Sequence, residues 1–400
     1  MSARPERGEV FRLPWVDTKK EYPCMKETIA KPKKKMKLTE RIGRKSWTQE
    51  DIDKYVGRFS SVWFSHANDE KYRAGAASGG TTTALLAHML ETDQIDGVLT
   101  VMTTVVDGVV NCDYVIVETV EDLIACQGSK YHKVRFAKQA LPKLREYDGR
   151  VAVVGLPCDC TVLKRICERE PDMKAKVKLV LALVCGHNSE PELTAHVVKK
   201  LGKGRGKLVD YSYRSGHWRG ELTATYENGD VVKKPFKYFS DYRNLYICAE
   251  RKCHACNDHF GYNCDISLGD IWSLYLKTNP VKHTGAIVRT PEGEAAFSRA
   301  MADGAINADP ESVLEILDGQ SRTLPFHYHT SARAKVGGML GMKIKDSVNE
   351  KVRFVDWLVA LIAMSNEMTS RSKIGRGFLL MLPRPVLRLY LYVFKGLELL

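Results

Sequence analysis

With 400 residues, the chain is long enough for two or three packed units and a sizeable core. Hydrophobic residues at 44% and charged residues at 27% exclude a wholly disordered, collagen-like or polytopic membrane protein. Lys and Arg number 61 against 48 Asp and Glu, and the resulting formal charge of +13 favours acidic partners.

Taken in chain order, the first thirty residues carry Glu6, Glu9, Asp17 and Glu21 and lack the apolar run of a secretory signal, so a cytoplasmic, reducing setting is expected. Residues 31–45 hold eight basic side chains against Glu40 and too little apolar surface to fold alone. Residues 1–54 therefore read as a basic N-terminal arm. From Tyr55 the composition turns globular, and 55–148 form a first unit. Its Ser78-Gly79-Gly80-Thr81-Thr82-Thr83 stretch is a glycine-rich start to a helix carried by Ala84, Leu85, Leu86, His88, Met89 and Leu90. Strands are expected at Ile95 to Val106 and Tyr114 to Val117, with Asp107-Gly108 as a turn between them.

A second unit, 149–330, opens with Arg150 to Gly155, a buried-strand pattern running through Leu156-Pro157-Cys158 into a helix. Val177 to Val184 repeats this arrangement, ending in Cys185-Gly186-His187 before a helix from Pro191 to Leu201. In open α/β sheets sites form at the carboxyl ends of strands, so Cys158 and Cys185 are expected on one edge. Strands follow at Leu208 to Tyr213, Leu222 to Tyr226 and Val231 to Pro235, with an Asn228-Gly229 hairpin turn. A cysteine-rich loop spans Cys248 to Cys264, and Ala286 to Arg289 and the helical Glu292 to Met301 close the unit. The remaining 331–400 read as a helical, amphipathic extension. Val352 to Met364 and Pro385 to Leu400 are its apolar helices, each shorter than the ~20 apolar residues a membrane span needs. The last one suits a bilayer surface, at the inner face of the membrane, or a partner, and ordinary packing against the body or a second copy of the chain accounts for it equally.

Eleven cysteines, an odd number, argue against a complete disulfide framework and for metal or redox chemistry in a reducing compartment. Cys253-His254-Ala255-Cys256 is a C-x2-C pair able to offer two thiolates to one metal or cluster. Cys248 and Cys264 extend it to a local C-x4-C-x2-C-x7-C reading. The alternative is distributed and joins Cys158 and Cys185 to Cys253 and Cys256. Zinc fits a closed thiolate site as well, and spacing alone does not choose. A zinc-bearing nucleic-acid-binding protein would account for the basic arm and the C-x2-C pair, yet it leaves Cys158, Cys185 and the glycine-rich loops without a role, so nucleic acid is not the expected partner.

Several short motifs occur in a telling order: Ser78-Gly79-Gly80, Ile95-Asp96-Gly97-Val98, Gly128-Ser129-Lys130-Tyr131, Gly155-Leu156-Pro157-Cys158, Cys185-Gly186-His187, Tyr213-Arg214-Ser215-Gly216-His217-Trp218, and Cys253-x2-Cys256 leading into Asp265-Ile266-Ser267-Leu268-Gly269-Asp270. With these, residues 60 to 305 resemble the coenzyme F420 hydrogenase/dehydrogenase beta-subunit family of iron–sulfur flavoproteins. The resemblance implies a mixed α/β fold, a flavin-binding body on a mixed sheet with a cysteine-rich cluster loop, and it favours the distributed ligand set Cys158, Cys185, Cys253 and Cys256 for a [4Fe–4S] cluster. It further implies FAD held by Ser78, Gly79, Gly80, Thr81, Thr83, Gly128, Ser129, Lys130, Tyr131 and Pro157.

Glycine loops at a helix start present unhindered amides to a diphosphate, and a lysine stabilises charge on a reduced ring. Proton-transfer candidates beside the flavin are Lys130, His132, His187 and His217. Arg214, His217, Trp218 and Arg219 suit a wall against a flat or anionic substrate. The implied activity is an FAD- and [4Fe–4S]-dependent oxidoreductase that passes electrons between a one-electron donor, such as an acidic ferredoxin, or coenzyme F420, and an organic substrate. An electron-transfer subunit of a larger complex, with no organic substrate of its own, is the second expectation.

Overall fold

The computed structural model describes residues 47–398, and the basic stretch 31–45 lies outside them. One eight-stranded mixed sheet organises the body. Its strands are β1 (Ser61–Ala67), β2 (Gly97–Val106), β3 (Val109–Val117), β4 (Val151–Gly155), β5 (Val177–Leu183), β9 (Ile266–Asp270), β10 (Thr284–Val288) and β11 (Ile306–Pro310), in the order β11-β1-β10-β9-β5-β4-β2-β3. The strands β2, β4, β5 and β9 run parallel, and the pairs outside them are antiparallel. A separate three-stranded meander contains β6 (Leu208–Ser215), β7 (Glu221–Tyr226) and β8 (Val231–Pro235).

Local chemistry explains much of this. Every residue of β4, Val-Ala-Val-Val-Gly, is buried, as a strand covered on both faces requires. Between β2 and β3, Asp107 (φ 53°) and Gly108 (φ 76°) form a two-residue turn with both residues left-handed, the geometry that matches strand twist. The second strand of that hairpin starts at Val109, five residues earlier than its apolar run suggests, because its alternating Asn111 and Asp113 face outward. Asp96 and Arg150 pin the starts of β2 and β4 together through bonds of 2.6 and 3.0 Å, and Arg150 also donates to Asp93.

The helices Thr81–Glu91 and Pro291–Ala302 cover one face of the sheet, with Leu85, Leu86, Phe297 and Ala300 in the core. A larger core on the other face takes in Phe136–Glu146, Pro157–Cys167, the meander and the C-terminal helices. Those last helices, Thr330–Met339, Phe354–Arg371, Lys373–Met381 and Arg384–Glu398, are packed into the body: Val359, Met364, Leu380, Leu387, Leu391 and Phe394 are buried. Three strands have no counterpart in the apolar patterning: β1 and β11 at one end of the sheet, and β9, which lies between β10 and β5.

Candidate functional site

The four parallel strands end on one edge, and an open cleft of about 190 Å³ lies there. Its floor is built from strand ends: Gly155 and Leu156 after β4, Leu183 and Val184 after β5, and Leu268, Gly269 and Asp270 of β9. Leu183 is exposed at 36%, an apolar side chain left uncovered where the cleft needs a greasy wall. Two loops form the rim. Ala76, Ala77, Ser78, Gly80, Thr82 and Thr83 come from the start of the Thr81–Glu91 helix, and Cys126 through Lys130 come from the chain beyond β3.

At the first loop the glycines are required by the protein's own backbone. A Cβ on Gly80 (φ 79°) would stand 2.3 Å from the Tyr72 carbonyl, and one on Gly79 would stand 2.6 Å from the Ser65 carbonyl. Glycine there packs the loop onto β1 and the segment before it, and a Gly80 substitution would disturb the fold before it touched any ligand. No side chain caps the Thr81–Glu91 helix, so its first-turn amides and the positive end of its dipole face the cleft. Ser78 bonds Thr284 at 2.9 Å, and Thr81 is buried against Ser65 at 3.0 Å. In the second loop Gly128 takes φ 86°. Lys130 curls back to donate to the carbonyls of Cys126 and, at 2.9 Å, Gln127. Burial pushes its ammonium down to about 8. Tyr131 turns away into an aromatic group with Tyr213, Phe236 and Phe239, and Pro157 is the buried first residue of its helix.

Next to this cleft lie four thiols close enough to raise one another's proton affinity. Cys158 lies in the first turn of Pro157–Cys167, Cys185 follows β5, Cys253 sits in the Arg251–Ala255 turn and Cys256 ends it. Burial pushes all four thiols up: Cys185 to about 12 and Cys256 to about 11, with Cys158 and Cys253 held well above the ordinary range. Each of the first three is raised further by its neighbours, Cys158 by Cys185 and Cys256, Cys185 by Cys256, and Cys253 by Cys185 and Cys256. The other two cysteines of the local spacing stand elsewhere. The Cys248 amide donates to Ser370 at 3.0 Å, and Cys264 is buried with Cys160 and Ala182.

Cations stand around the four thiols, alongside the carboxylates of Asp159, Glu250 and Asp258. Arg333, 1% exposed, donates to the carbonyls of His254, Tyr328 and Phe326 at 2.8 to 3.0 Å, and Arg243 donates to the His187 carbonyl. Lys252 is opposed by burial, but Cys158, Glu250 and Asp159 beside it prevail and raise its affinity for the proton. Buried guanidinium groups bonded to neutral carbonyls suit a net anionic occupant, which a thiolate-ligated cluster is. Among the described residues no group of three or more His, Cys, Asp or Glu is arranged to hold a single metal ion. Zinc needs its sulfurs at about 2.3 Å from one centre, whereas a cluster interposes iron and sulfide between its thiolates.

The histidines separate. His132 lines the cleft with Nδ1 at 3.3 Å from the Tyr213 hydroxyl, and burial lowers its proton affinity. His187 is fully buried, stacked on Tyr246 at 5.2 Å, and both ring nitrogens lack a partner. His217 is exposed on the β6–β7 turn, with Nε2 2.7 Å from the Asn279 carbonyl, outside the cleft lining. Arg214 is not free for a substrate: it pairs with Asp270 at 2.6 and 3.2 Å and donates to the Ala77 carbonyl. Asn188 joins the two halves of the site and carries no signal in the sequence. It lines the cleft, its side chain donates to the His132 carbonyl at 2.8 Å, and its amide donates to Cys253 Sγ at 3.3 Å.

Comparison with known proteins adds to this picture. Residues 62–139 match the family model described as coenzyme F420 hydrogenase/dehydrogenase, beta subunit N-term, and residues 148–313 match the corresponding C terminus. The chain is 27% identical over 234 residues to a coenzyme F420-dependent sulfite reductase of Methanocaldococcus jannaschii, covering 54% of this chain and 33% of that protein. It is 23% identical over 267 residues to the coenzyme F420 hydrogenase subunit beta of Methanothermobacter thermautotrophicus, covering 64% and 86%. An uncharacterized protein of M. jannaschii is 25% identical over 254 residues, covering 61% of this chain and 64% of its own length. In fold, the chain matches one from the F420-reducing [NiFe] hydrogenase complex of Methanosarcina barkeri with a TM-score of 0.55 at 20% identity, over 72% of this chain and 97% of that one.

Proposed function

The chain belongs to the coenzyme F420 hydrogenase/dehydrogenase beta-subunit family, and from that premise we propose that it is an electron-transferring oxidoreductase with a [4Fe–4S] cluster on Cys158, Cys185, Cys253 and Cys256 and FAD in the adjoining cleft. The observation that carries this reading is the position of Asn188, whose backbone serves a cysteine sulfur while its side chain and the cleft wall are one and the same. Two redox groups so placed would share a single residue as their boundary.

When bound, the cluster supplies one-electron steps and the flavin couples these to two-electron chemistry. The chain's own residues bind and position. The uncapped amides of Thr81–Glu91 and the Gly128-Ser129 loop would bind phosphate oxygens. Lys130, desolvated and with its ammonium pushed down to about 8, would hold or release a proton at Nζ on the cleft rim. Leu183, Val184 and Leu268 exclude water from one wall. Arg333 holds the backbone of the cysteine loop at the His254 carbonyl, and Arg243 holds the chain after Cys185 at the His187 carbonyl.

Coenzyme F420, which two of the relatives carry in their names, is the two-electron partner we favour, and an acidic ferredoxin suits the +13 chain as the one-electron partner. Anaerobic purification followed by an absorption spectrum and iron, sulfide, zinc and flavin analysis tests the reading. Iron, sulfide and FAD together support it; stoichiometric zinc without flavin would overturn it. An electron-transfer subunit without its own organic substrate is the second reading, favoured by the fold match to a chain of a multisubunit hydrogenase complex.

A further inference from the structure

Exposed large apolar side chains are concentrated at the C-terminal end: Ile374, Phe378, Met381, Val386, Leu389, Tyr392 and Val393 all stand in solvent. Ile374 is 88% exposed and Tyr392 72%. They lie on two helices, Lys373–Met381 and Arg384–Glu398, that meet at an angle of 97°. Among the described residues no single helix is long and apolar enough to cross a membrane. The inner sides of both helices are already committed to the body through Leu379, Leu380, Leu387, Leu391 and Phe394. The pair together has the length and apolarity of a broken span, but with its inner sides buried in the body it is suited to lie along a surface.

Residue spacing on Arg384–Glu398 makes three stripes at 3.6 residues per turn. Leu387, Leu391, Phe394 and Glu398 face the core, Val386, Leu389 and Val393 face outward, and Arg384, Arg388 and Lys395 form a row between them. In 372–398 the five basic residues meet one acid, Glu398, which is buried and paired with Lys395. Beside the row is a shallow cleft lined by Lys234, Lys237, Tyr238, Arg384 and Arg388. Asp241 is the carboxylate that reaches its arginines, at 3.2 and 3.5 Å, so the cleft keeps an excess of positive charge.

We propose that this face docks on a bilayer containing anionic lipid, with Phe378, Leu389, Val393 and Tyr392 at the level of the acyl boundary and a phosphate headgroup in the Lys234–Arg388 cleft. Apolar side chains ringed by basic ones are what an interfacial helix requires, and the charge excess selects anionic over neutral lipid. A second copy of the chain, carrying the same positive rim, would meet it with like charge.

The test is flotation of the full chain with phosphatidylcholine vesicles, with and without phosphatidylserine. The wild-type chain binds the phosphatidylserine vesicles and binding falls as salt is raised. The triple variant Phe378→Ser/Leu389→Ser/Tyr392→Ser, all exposed positions, loses binding roughly tenfold or more. Lys234→Gln/Lys237→Gln lowers the preference for phosphatidylserine while retaining weak binding to both vesicles. The proposal is overturned if the wild-type chain fails to float with phosphatidylserine vesicles, if the triple variant floats equally well, or if binding ignores salt. A wild-type dimer in sedimentation that the triple variant dissociates, with neither floating, assigns the face to self-association instead.

Discussion

The amide of Asn188 donates to the sulfur of Cys253 across 3.3 Å. Three further atoms fix that amide in place: the Asn188 side chain holds the His132 carbonyl at 2.8 Å, its Oδ1 accepts from the Ser189 amide at 3.0 Å, and its carbonyl accepts from the Glu250 amide at 2.9 Å. Asn188→Ala leaves the buried His132 carbonyl without its donor, and the expected cost is about 1–3 kcal/mol in chemical denaturation. The substitution should also loosen Cys253. Unchanged stability would show that the loop is held by other contacts.

Serine in place of Cys158, Cys185, Cys253 or Cys256 should remove most of the iron and sulfide from anaerobically purified protein, because a ligated loop gains order from its metal. Cys248→Ser and Cys264→Ser should keep it, since Cys248 neighbours Ser370 and Cys264 neighbours Cys160. The reverse pattern in an iron assay would favour the local C-x4-C-x2-C-x7-C set.

Lys130 is charged below about pH 8 and neutral above it, as burial has lowered its affinity for the proton. Retention of an anionic flavin by the cleft should therefore weaken as pH rises through 8. In Lys130→Met the affinity should be lower at pH 7 and flat across that range. Fluorescence titration with FAD reads both, and a variant with the wild-type profile would remove Lys130 from the site.

Asp96 is held at about 2 by the guanidinium and amide of Arg150, below the ordinary carboxylate value of 3.8. A depressed carboxyl contributes stability above its unfolded value and loses it as pH falls toward the folded one. Asp96→Asn should thus lower Tm at pH 7, with the gap to wild type closing between about pH 4 and pH 2. The pair is partly exposed, so the effect is small, and a gap independent of pH would assign it to the backbone bond alone.

The ring of Phe394 lies 6.0 Å from Tyr246, which is stacked 5.2 Å from His187 and 5.5 Å from His254. Phe394→Ala should cost about 3–5 kcal/mol by thermal or denaturant unfolding. It should also lower iron retention, because the last helix buttresses the cysteine loop through Tyr246. Full iron content in a destabilised variant would separate the two roles.

Much of the site was legible because its chemistry is local. A Val-rich run ending in Leu156-Pro157-Cys158 and another ending in Cys185 declare two strand ends, and parallel pairing brings such ends to one edge. The helix Pro191–Leu201 and strand Val231–Pro235 carry their bounds in their own proline and turn residues. Long-range partners were not legible. Arg333 is one of the most buried residues and clamps three carbonyls around the thiols, yet its surroundings, Ala332 and Ala334, mark it as nothing special. Strands β1, β9 and β11 were missed for a similar reason. Ser61-Val62-Trp63-Phe64-Ser65-His66 alternates irregularly, and Ile306-Asn307-Ala308-Asp309-Pro310 is an edge strand whose polar residues face out.

Among the sheet strands β1 leads the sequence, and it pairs only with β10 and β11, more than two hundred residues downstream. On the ribosome, Val62 and Phe64 leave the exit tunnel long before Ile287 and Pro310 exist to cover them. The strand that begins the sheet in sequence is among those that complete it in time. During synthesis the molecule therefore passes through a prolonged stage with an unpaired apolar strand, and its yield in cells should depend on how well chaperones shield that nascent segment.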